Sequence, residues 1–469
     1  MKIEQIYTGC LSQGAYYIRS ENEAIVIDPL REIESYVQKA LHDHVKIKYV
    51  LETHFHADFV SGHLDLAAKT GATIVYGPSA QPGFPAYIAA DGEELPVGKC
   101  TMKVLHTPGH TMESTCYLLL DENRNQVALF SGDTLLLGDV GRPDLAQKAT
   151  NLTTDELAGL LYDSIRNKLL PLADDVIIYP GHGAGSACGK NMMKETVDTL
   201  GHQKKINYAL RKAMTRQEFI TEVTDGLSSP PAYFPENAKM NKHGYESIDV
   251  VIRKGTRPLS VAEFNDLATQ TDAVIIDTRE AKHFEKGFIP GSINIGLNGS
   301  FAHWVGSLLR GTDSPVLIVV EEGQEKEAAI RLARVGYDHL LGYLQGGFQQ
   351  WLQADKDFNT ITSMDAEEFS SRNSKQKLYI LDVRRADEFK AGHIIGAHHL
   401  PLEKLATHLD QITKEADVYI HCAGGYRSMI AASILRSKGW VNIINVTGGF
   451  QAISNAKKQV ALDKPEPVH

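Results

Sequence analysis

Residues 273–297 (AVIIDTREAKHFEKGFIPGSINIGL) and 378–402 (LYILDVRRADEFKAGHIIGAHHLPL) are two versions of one pattern, offset by 105 positions when read from Asp277 and Asp382. The correspondence continues downstream. PVLIVV (315–320) matches DVYIHC (417–422), and LQGGFQQW (344–351) matches VTGGFQAI (446–453). A pattern repeated at this period means two successive copies of one domain of about 100 residues. Each copy alternates short apolar runs with amphipathic stretches such as EKEAAIRLARVG (325–336) and RSMIAASILRSKG (427–439). That alternation predicts a largely parallel sheet with helices on both faces. We place the copies at 258–358 and 359–469.

Residues 1–215 read as a further α/β domain, with apolar runs at 24–28, 47–51, 73–76, 127–130 and 176–179 that predict short buried strands. His54, Asp133 and His182 each follow such a run closely, where α/β folds build their sites. Residues 216–257 carry Pro230, Pro231 and Pro235 with little apolar periodicity, which predicts an extended linker. The chain of 469 residues is thus long enough for about three domains, and 43% hydrophobic with 23% charged residues is a globular mix. A net charge of −10 without polybasic runs argues against a nucleic-acid partner. No apolar run approaches the roughly 18 residues of a membrane span. The first residues lack the apolar core of a signal peptide, so the cytoplasm is the expected compartment. Five dispersed cysteines are no disulfide framework and fit a reducing environment.

The chemistry of the first domain lies in His54-Phe55-His56-Ala57-Asp58, His110 in TPGHT, Asp133 in SGDT and His182 in YPGHG. Residues two apart in an extended or turning backbone point the same way, and glycine beside each later motif lets the chain turn sharply. Imidazole and carboxylate together suit a borderline divalent metal. In this order the motifs resemble the metallo-β-lactamase superfamily, which implies an αββα sandwich. Within it, thioester hydrolases of the glyoxalase II type carry histidine directly after the motif aspartate, where this chain has Phe59. Losing that imidazole disfavours a second metal. The resemblance then shifts to the persulfide dioxygenases, which use one ferrous ion; it implies His54, His110 and Asp133 as the Fe(II) ligands. His56, Asp58 and His182 would orient those ligands or handle protons. In GDVGRPD (138–144), Arg142 is the candidate to anchor a substrate anion, or else pairs with Asp139 or Asp144. Cys188, six residues after His182, either lines the substrate pocket or is a small buried cysteine. Cys10, Cys100 and Cys116 read as packing residues.

At the other end, Cys422-Ala423-Gly424-Gly425-Tyr426-Arg427-Ser428 follows the apolar run VYIH and opens a helix pattern. Converging amides and a helix N-terminus stabilise a thiolate there. The loop resembles the active loop of the rhodanese family, whose cysteine carries a persulfide sulfur. Four residues separate Cys422 from Arg427, whereas phosphatases on the same fold have five, so the tighter ring suits one sulfur atom. Arg427 would stabilise the anionic persulfide or an incoming sulfite, while Asp382, Arg384 and His393 would support the frame. The middle copy has Val320 at the cysteine position and Glu325 at that of Arg427, with Glu321 and Glu322 beside them, and is expected to be catalytically inactive.

Together these resemblances imply a persulfide dioxygenase joined to a sulfurtransferase and used in sulfide detoxification. Its expected small-molecule partners are a low-molecular-weight thiol persulfide, O2, and sulfite or thiosulfate, with no membrane partner. The thiol (glutathione, coenzyme A or bacillithiol) and a dimeric or tetrameric state stay open. Two alternatives are a zinc-dependent thioester hydrolase and a sulfur-carrier or interaction protein.

Overall fold

Alternation with a period of two builds the first domain. Tyr16, Ile18, Ile25 and Ile27 pack inward with Tyr117, Leu119, Ala128 and Phe130, forming a core between two sheets. Their neighbours Ala15, Tyr17, Ala24 and Val26 face the other way, onto Tyr36, Val37 and Ala40 of the helix Glu34–Asp43 and Leu66 of the helix His63–Thr70. On the far sheet, Leu118, Leu120 and Leu129 pack outward against Ala158 and Leu161 of the helix Thr154–Ser164. The result is helix, sheet, sheet, helix, the expected αββα sandwich. Burying one large apolar side chain is worth about 1.5–3 kcal/mol, whereas an exposed pair such as Lys69–Glu34 is screened by water and contributes little. The three apolar layers therefore hold this domain together.

The computed structural model describes residues 1–147, 151–227, 229–309, 311–456 and the backbone of 462–463. The first sheet runs β1 (Lys2–Thr8), β2 (Gln13–Ser20), β3 (Glu23–Ile27), β4 (Lys46–Leu51), β5 (Thr73–Tyr76) and β6 (Tyr87–Ile88) in spatial order. It is antiparallel from β1 to β3 and parallel from β3 to β6. The second contains β7 (Glu94–Val97), β8 (Cys100–His106), β9 (Thr115–Leu120), β10 (Gln126–Gly132), β11 (Ile177–Pro180) and β12 (Asp198–Thr199), again in sequence order across the sheet. Among the described residues, no helix is long and apolar enough to cross a membrane.

Residues 216–257 are not the extended linker expected from their prolines. They fold into the helices Arg216–Thr224, Phe234–His243 and Ile248–Gly255. Thr215 and Glu218 form a reciprocal capping box at the first helix. Pro235 sits in the first turn of the second, where a missing N–H breaks no helical hydrogen bond. Phe219, Ile220 and Val223 enter the outer core of the first domain. The chain accordingly divides into one compact unit of Met1–Val250 with Ala333–Gly336 and a second of Val251–Leu332 with Tyr337 onward.

The second unit holds both repeats. In the first repeat, β13 (Pro258–Leu259), β14 (Val274–Asp277), β15 (Ile293–Asn294), β16 (Val316–Val319) and β17 (Leu340–Leu344) form a parallel sheet ordered β13-β17-β16-β14-β15. In the second, β18 (Thr362–Met364), β19 (Tyr379–Asp382), β21 (His398–His399), β22 (Val418–His421) and β23 (Ile443–Val446) form one ordered β18-β23-β22-β19-β21. The two orders correspond strand for strand. A small separate pair joins β20 (His393–Ile394) to β24 (Leu462–Asp463). The same buried clamp closes each repeat. Arg279 pairs with Asp277 and donates to the Gly287 carbonyl at 2.9 Å; Arg384 pairs with Asp382 and donates to the Gly392 carbonyl at 2.9 Å.

Candidate functional site

The loop after β4 delivers His54, and its shape comes from a residue at the end of β3. Asp28 accepts from the Thr53 amide at 2.8 Å and from the Thr53 hydroxyl at 2.9 Å. That hydroxyl has given its proton to Asp28, so it receives one from His54 Nδ1 at 3.0 Å. His110 Nδ1 lies 2.8 Å from the Arg142 carbonyl, which can only accept. Both rings are thereby turned so that Nε2 carries the free lone pair. Asp133, after β10, lies opposite, its Oδ2 3.5 Å from His110 Nε2. One ligand atom from each of His54, His110 and Asp133 lies within 4.8 Å of the others, and all three residues are buried. Burial, then the neighbouring His56 and His110, pull the His54 pKa well below its ordinary value, which keeps the ring neutral and able to ligate. Two imidazoles and a carboxylate facing one point fit a divalent metal.

The other candidates surround this set. His56 turns away: its Nε2 is 3.1 Å from Asp28 Oδ1, and its ring lies against Phe59 with centroids 4.4 Å apart. His182 Nδ1 is 2.7 Å from Asp133 Oδ1, and its Nε2 is 2.7 Å from Asp58 Oδ2. Burial opposes a charge on His182, but Asp133 and Asp58 outweigh it and raise its pKa well above the usual value. Burial likewise pushes Asp133 up, and His182 leads the groups that hold it far below the ordinary carboxylate range. Cys188 is buried near His182, its thiol pushed up to about 12 by burial. Asp58, His182 and Cys188 form a second group of potential donors within 4.8 Å of one another.

Arg142 acts on the site through its backbone. Its carbonyl orients His110, while its buried guanidinium forms a two-pronged pair with Asp144 at 2.7 and 2.8 Å and donates to the Ala187 carbonyl at 3.2 Å. The fork is thus committed to Asp144, the alternative partner, and not held open for an anion. Thr53, Asp28 and Asn241 escaped sequence reasoning. Asn241 Nδ2 donates to the carbonyls of His56 and Phe59, both at 2.7 Å, and its Oδ1 accepts from the Ser61 amide at 2.9 Å. Gly141 shows how closely the chain packs around Asp133 and His110. A Cβ there would sit 2.2 Å from the Asp133 carbonyl oxygen and 2.8 Å from His110 Nδ1. Gly141→Ala is expected to weaken metal binding about 10–100-fold, the cost of disturbing groups that orient ligands; competition against a chelator measures it.

In the second repeat, Cys422 is buried directly after β22. The Gly425 amide donates to its sulfur at 3.1 Å, and Ser428 Oγ lies 3.7 Å away. The helix Tyr426–Ser437 starts at once, so its N-terminus faces the loop. The Phe450 amide holds the Cys422 carbonyl at 2.7 Å. Ala423 and Gly424 complete the curl. Arg427 does not present a vacant guanidinium to the sulfur: it makes two bonds to Glu388, at 2.6 and 2.7 Å. Burial raises the Glu388 pKa, but Arg427 outweighs this and holds it at about 2, below its ordinary 4.5. A carboxylate depressed in the folded state stabilises the fold above its unfolded pKa and loses that effect as pH falls through the folded one. Urea unfolding of the parent is therefore expected to weaken between 4.5 and about 2, with Glu388→Gln flattening that decline. In the first repeat, Val320 is buried at the cysteine position and Glu325 opens the helix Glu325–Arg334.

The metallo-beta-lactamase superfamily model matches residues 8–182, and the rhodanese-like domain model matches residues 260–354 and 365–456. A hydroxyacylglutathione hydrolase of Polaromonas sp. is 33% identical over 189 residues, which is 39% of this chain. The chain spans 66% of that relative's length. Mouse persulfide dioxygenase ETHE1, mitochondrial, is 27% identical over 220 residues, covering 45% of this chain and 75% of the relative. The crystal structure of a metallo-beta-lactamase from Staphylococcus aureus subsp. aureus COL aligns with 73% of this chain and 98% of its own, at 31% identity and a TM-score of 0.64. With the sandwich, the His–His–Asp group at its strand ends and two matching parallel sheets later in the sequence, the chain belongs to the metallo-beta-lactamase superfamily and carries two rhodanese-like domains.

Proposed function

We propose that the first domain oxidises a low-molecular-weight persulfide at one ferrous ion held by His54, His110 and Asp133, and that Cys422 moves sulfane sulfur in the same chain. The overall change is R-S-SH + O2 + H2O → R-SH + SO3²⁻ + 2 H⁺. All four electrons taken up by dioxygen come from the terminal sulfur. The observation that carries this reading is the orientation of His56. With that ring on Asp28 and phenylalanine at position 59, one donor set of two imidazoles and one carboxylate remains where His54 points.

Bound ferrous iron would supply the redox chemistry that dioxygen and a sulfur anion need, with positions left open by three protein ligands. The chain supplies the rest. Thr53 and the Arg142 carbonyl fix the two imidazoles, and His182 holds a proton between Asp133 and Asp58. At the other site, a second persulfide would load the cysteine, Cys422-S⁻ + R-S-SH → Cys422-S-S⁻ + R-SH, and sulfite would unload it, Cys422-S-S⁻ + SO3²⁻ → Cys422-S⁻ + S2O3²⁻; the reverse uses the same residues. The Gly425 amide and the helix N-terminus support the sulfur anion, since Arg427 is occupied by Glu388. Cytoplasmic sulfide detoxification is the setting this pair of reactions suits.

A second reading, a zinc thioester hydrolase, draws support from the 33% identical hydroxyacylglutathione hydrolase and from the donor group Asp58, His182 and Cys188, which offers a place for a second metal. Metal analysis of protein produced without added zinc separates the two. The dioxygenase reading expects one iron per chain and no turnover of S-lactoylglutathione. Two zinc ions per chain with thioester turnover would sink it.

A further inference from the structure

The inactive repeat touches the Cys422 loop from the front. Tyr426, between Gly425 and Arg427, donates its hydroxyl to the carbonyl of Gly296 in the inactive repeat at 2.7 Å. Its ring covers Gly299, where a Cβ would come within 2.4 Å of the ring carbon Cζ. Any side chain at 299 would displace Tyr426 and, through the shared peptide bond, Gly425. Gly425 has φ +109° and supplies the amide that points at the sulfur, so its orientation is sensitive to such a push.

A separate line reaches the sulfur from behind. Ser428, 3.7 Å from Cys422 Sγ, donates to Asn445 Oδ1 at 2.8 Å. Asn445 Nδ2 donates to Ser363 Oγ at 3.3 Å, and Ser363 donates to Glu285 of the inactive repeat. The Ser428 hydroxyl has one proton, for which Asn445 Oδ1 at 2.8 Å, the Gly425 carbonyl at 3.0 Å and a Cys422 thiolate compete. The placement of Asn445 bears on that choice, and the Ser363–Glu285 bond helps set the placement. Between the two contacts, the Asn294 amide donates to Ser433 Oγ at 3.0 Å, pinning the helix Tyr426–Ser437 itself.

We infer that the inactive repeat is a working part of the sulfurtransferase site: Gly296, Gly299 and Glu285 position the Cys422 loop and its amide and hydroxyl donors, and so set how readily Cys422 ionises and carries sulfur. This rests on the sulfurtransferase reading of Cys422. The full-length chain and its Gly299→Val, Tyr426→Phe and Glu285→Gln variants test it through Cys422 alkylation by iodoacetamide, followed by peptide mass spectrometry across pH. Gly299→Val is expected to move the pH midpoint of alkylation upward by about one unit, which is about tenfold less thiolate at neutral pH. Tyr426→Phe and Glu285→Gln shift it the same way by less. The limiting rate at high pH reports access to the sulfur separately. If Gly299→Val fails to fold, Tyr426→Phe decides, because it removes one hydroxyl. Midpoints equal to the parent's in folded variants overturn the inference. Absence of thiosulfate formation with shifted midpoints overturns the sulfur-transfer reading alone.

Discussion

Replacing Asp133 with alanine is expected to strip the first domain of its metal and abolish oxygen uptake with persulfide. Asp133 contributes one of three ligand atoms, and it also accepts both hydrogen bonds from His182 Nδ1, at 2.7 and 2.9 Å. Its removal takes away a ligand and leaves a buried imidazolium with Asp58 as its remaining carboxylate. Disturbing a group that merely orients a ligand costs about 10–100-fold in affinity, so loss of a ligand exceeds about 100-fold. Breaking a buried pair from one side costs about 3–5 kcal/mol, which threatens the fold as well. Asp133→Asn separates these effects, since it keeps the volume and one oxygen while removing the charge. Iron content by elemental analysis, oxygen uptake and urea unfolding report the three quantities independently.

Cys422→Ser is expected to abolish thiosulfate formation, so that sulfite, which the parent consumes, accumulates at the rate of the parent's oxygen uptake. A serine hydroxyl in the same loop stays protonated and cannot hold a sulfane sulfur; the thiolate is the nucleophile. The amide of Gly425 and the helix start remain in place, so the loop keeps its shape. His54, His110 and Asp133 lie in the other unit, so oxygen uptake should be retained. If the chain were a sulfur carrier without oxidative chemistry, Cys422→Ser would remove all function and His110→Ala would change nothing.

Both the repeats and the cluster of His54, His110 and Asp133 were legible because their signals are local. Asp277 and Asp382 recur in matching strand ends, and the clamps they form with Arg279 and Arg384 are the same in space. His54 and Asp133 each follow an apolar run closely and His110 stands in the TPGHT motif, and the structure brings one donor atom of each within 4.8 Å of the others. Signals that depend on tertiary partners were not legible. Asp28 and Asn241 support the His54 loop from 25 residues before Thr53 and 185 residues after His56. The helices of 216–257 are fixed by a capping box and by burial of Phe219, while the prolines in the same stretch suggested extension. Arg142 and Arg427 illustrate a further limit. Each stands beside reactive chemistry in sequence, yet its guanidinium is held by a carboxylate, Asp144 or Glu388, that spacing alone does not single out.

One chain would thus oxidise persulfide sulfur to sulfite and, through Cys422, transfer a second persulfide's sulfane sulfur to that sulfite. Oxygen uptake by the iron-loaded protein with glutathione persulfide, sulfite and thiosulfate being quantified together, tests this most directly. One dioxygen is expected to be consumed per sulfite released by the Cys422→Ser variant, with the parent converting that sulfite to thiosulfate at unchanged oxygen uptake. No oxygen consumption by iron-replete protein with glutathione, coenzyme A or bacillithiol persulfide, alongside hydrolysis of a glutathione thioester, would contradict it.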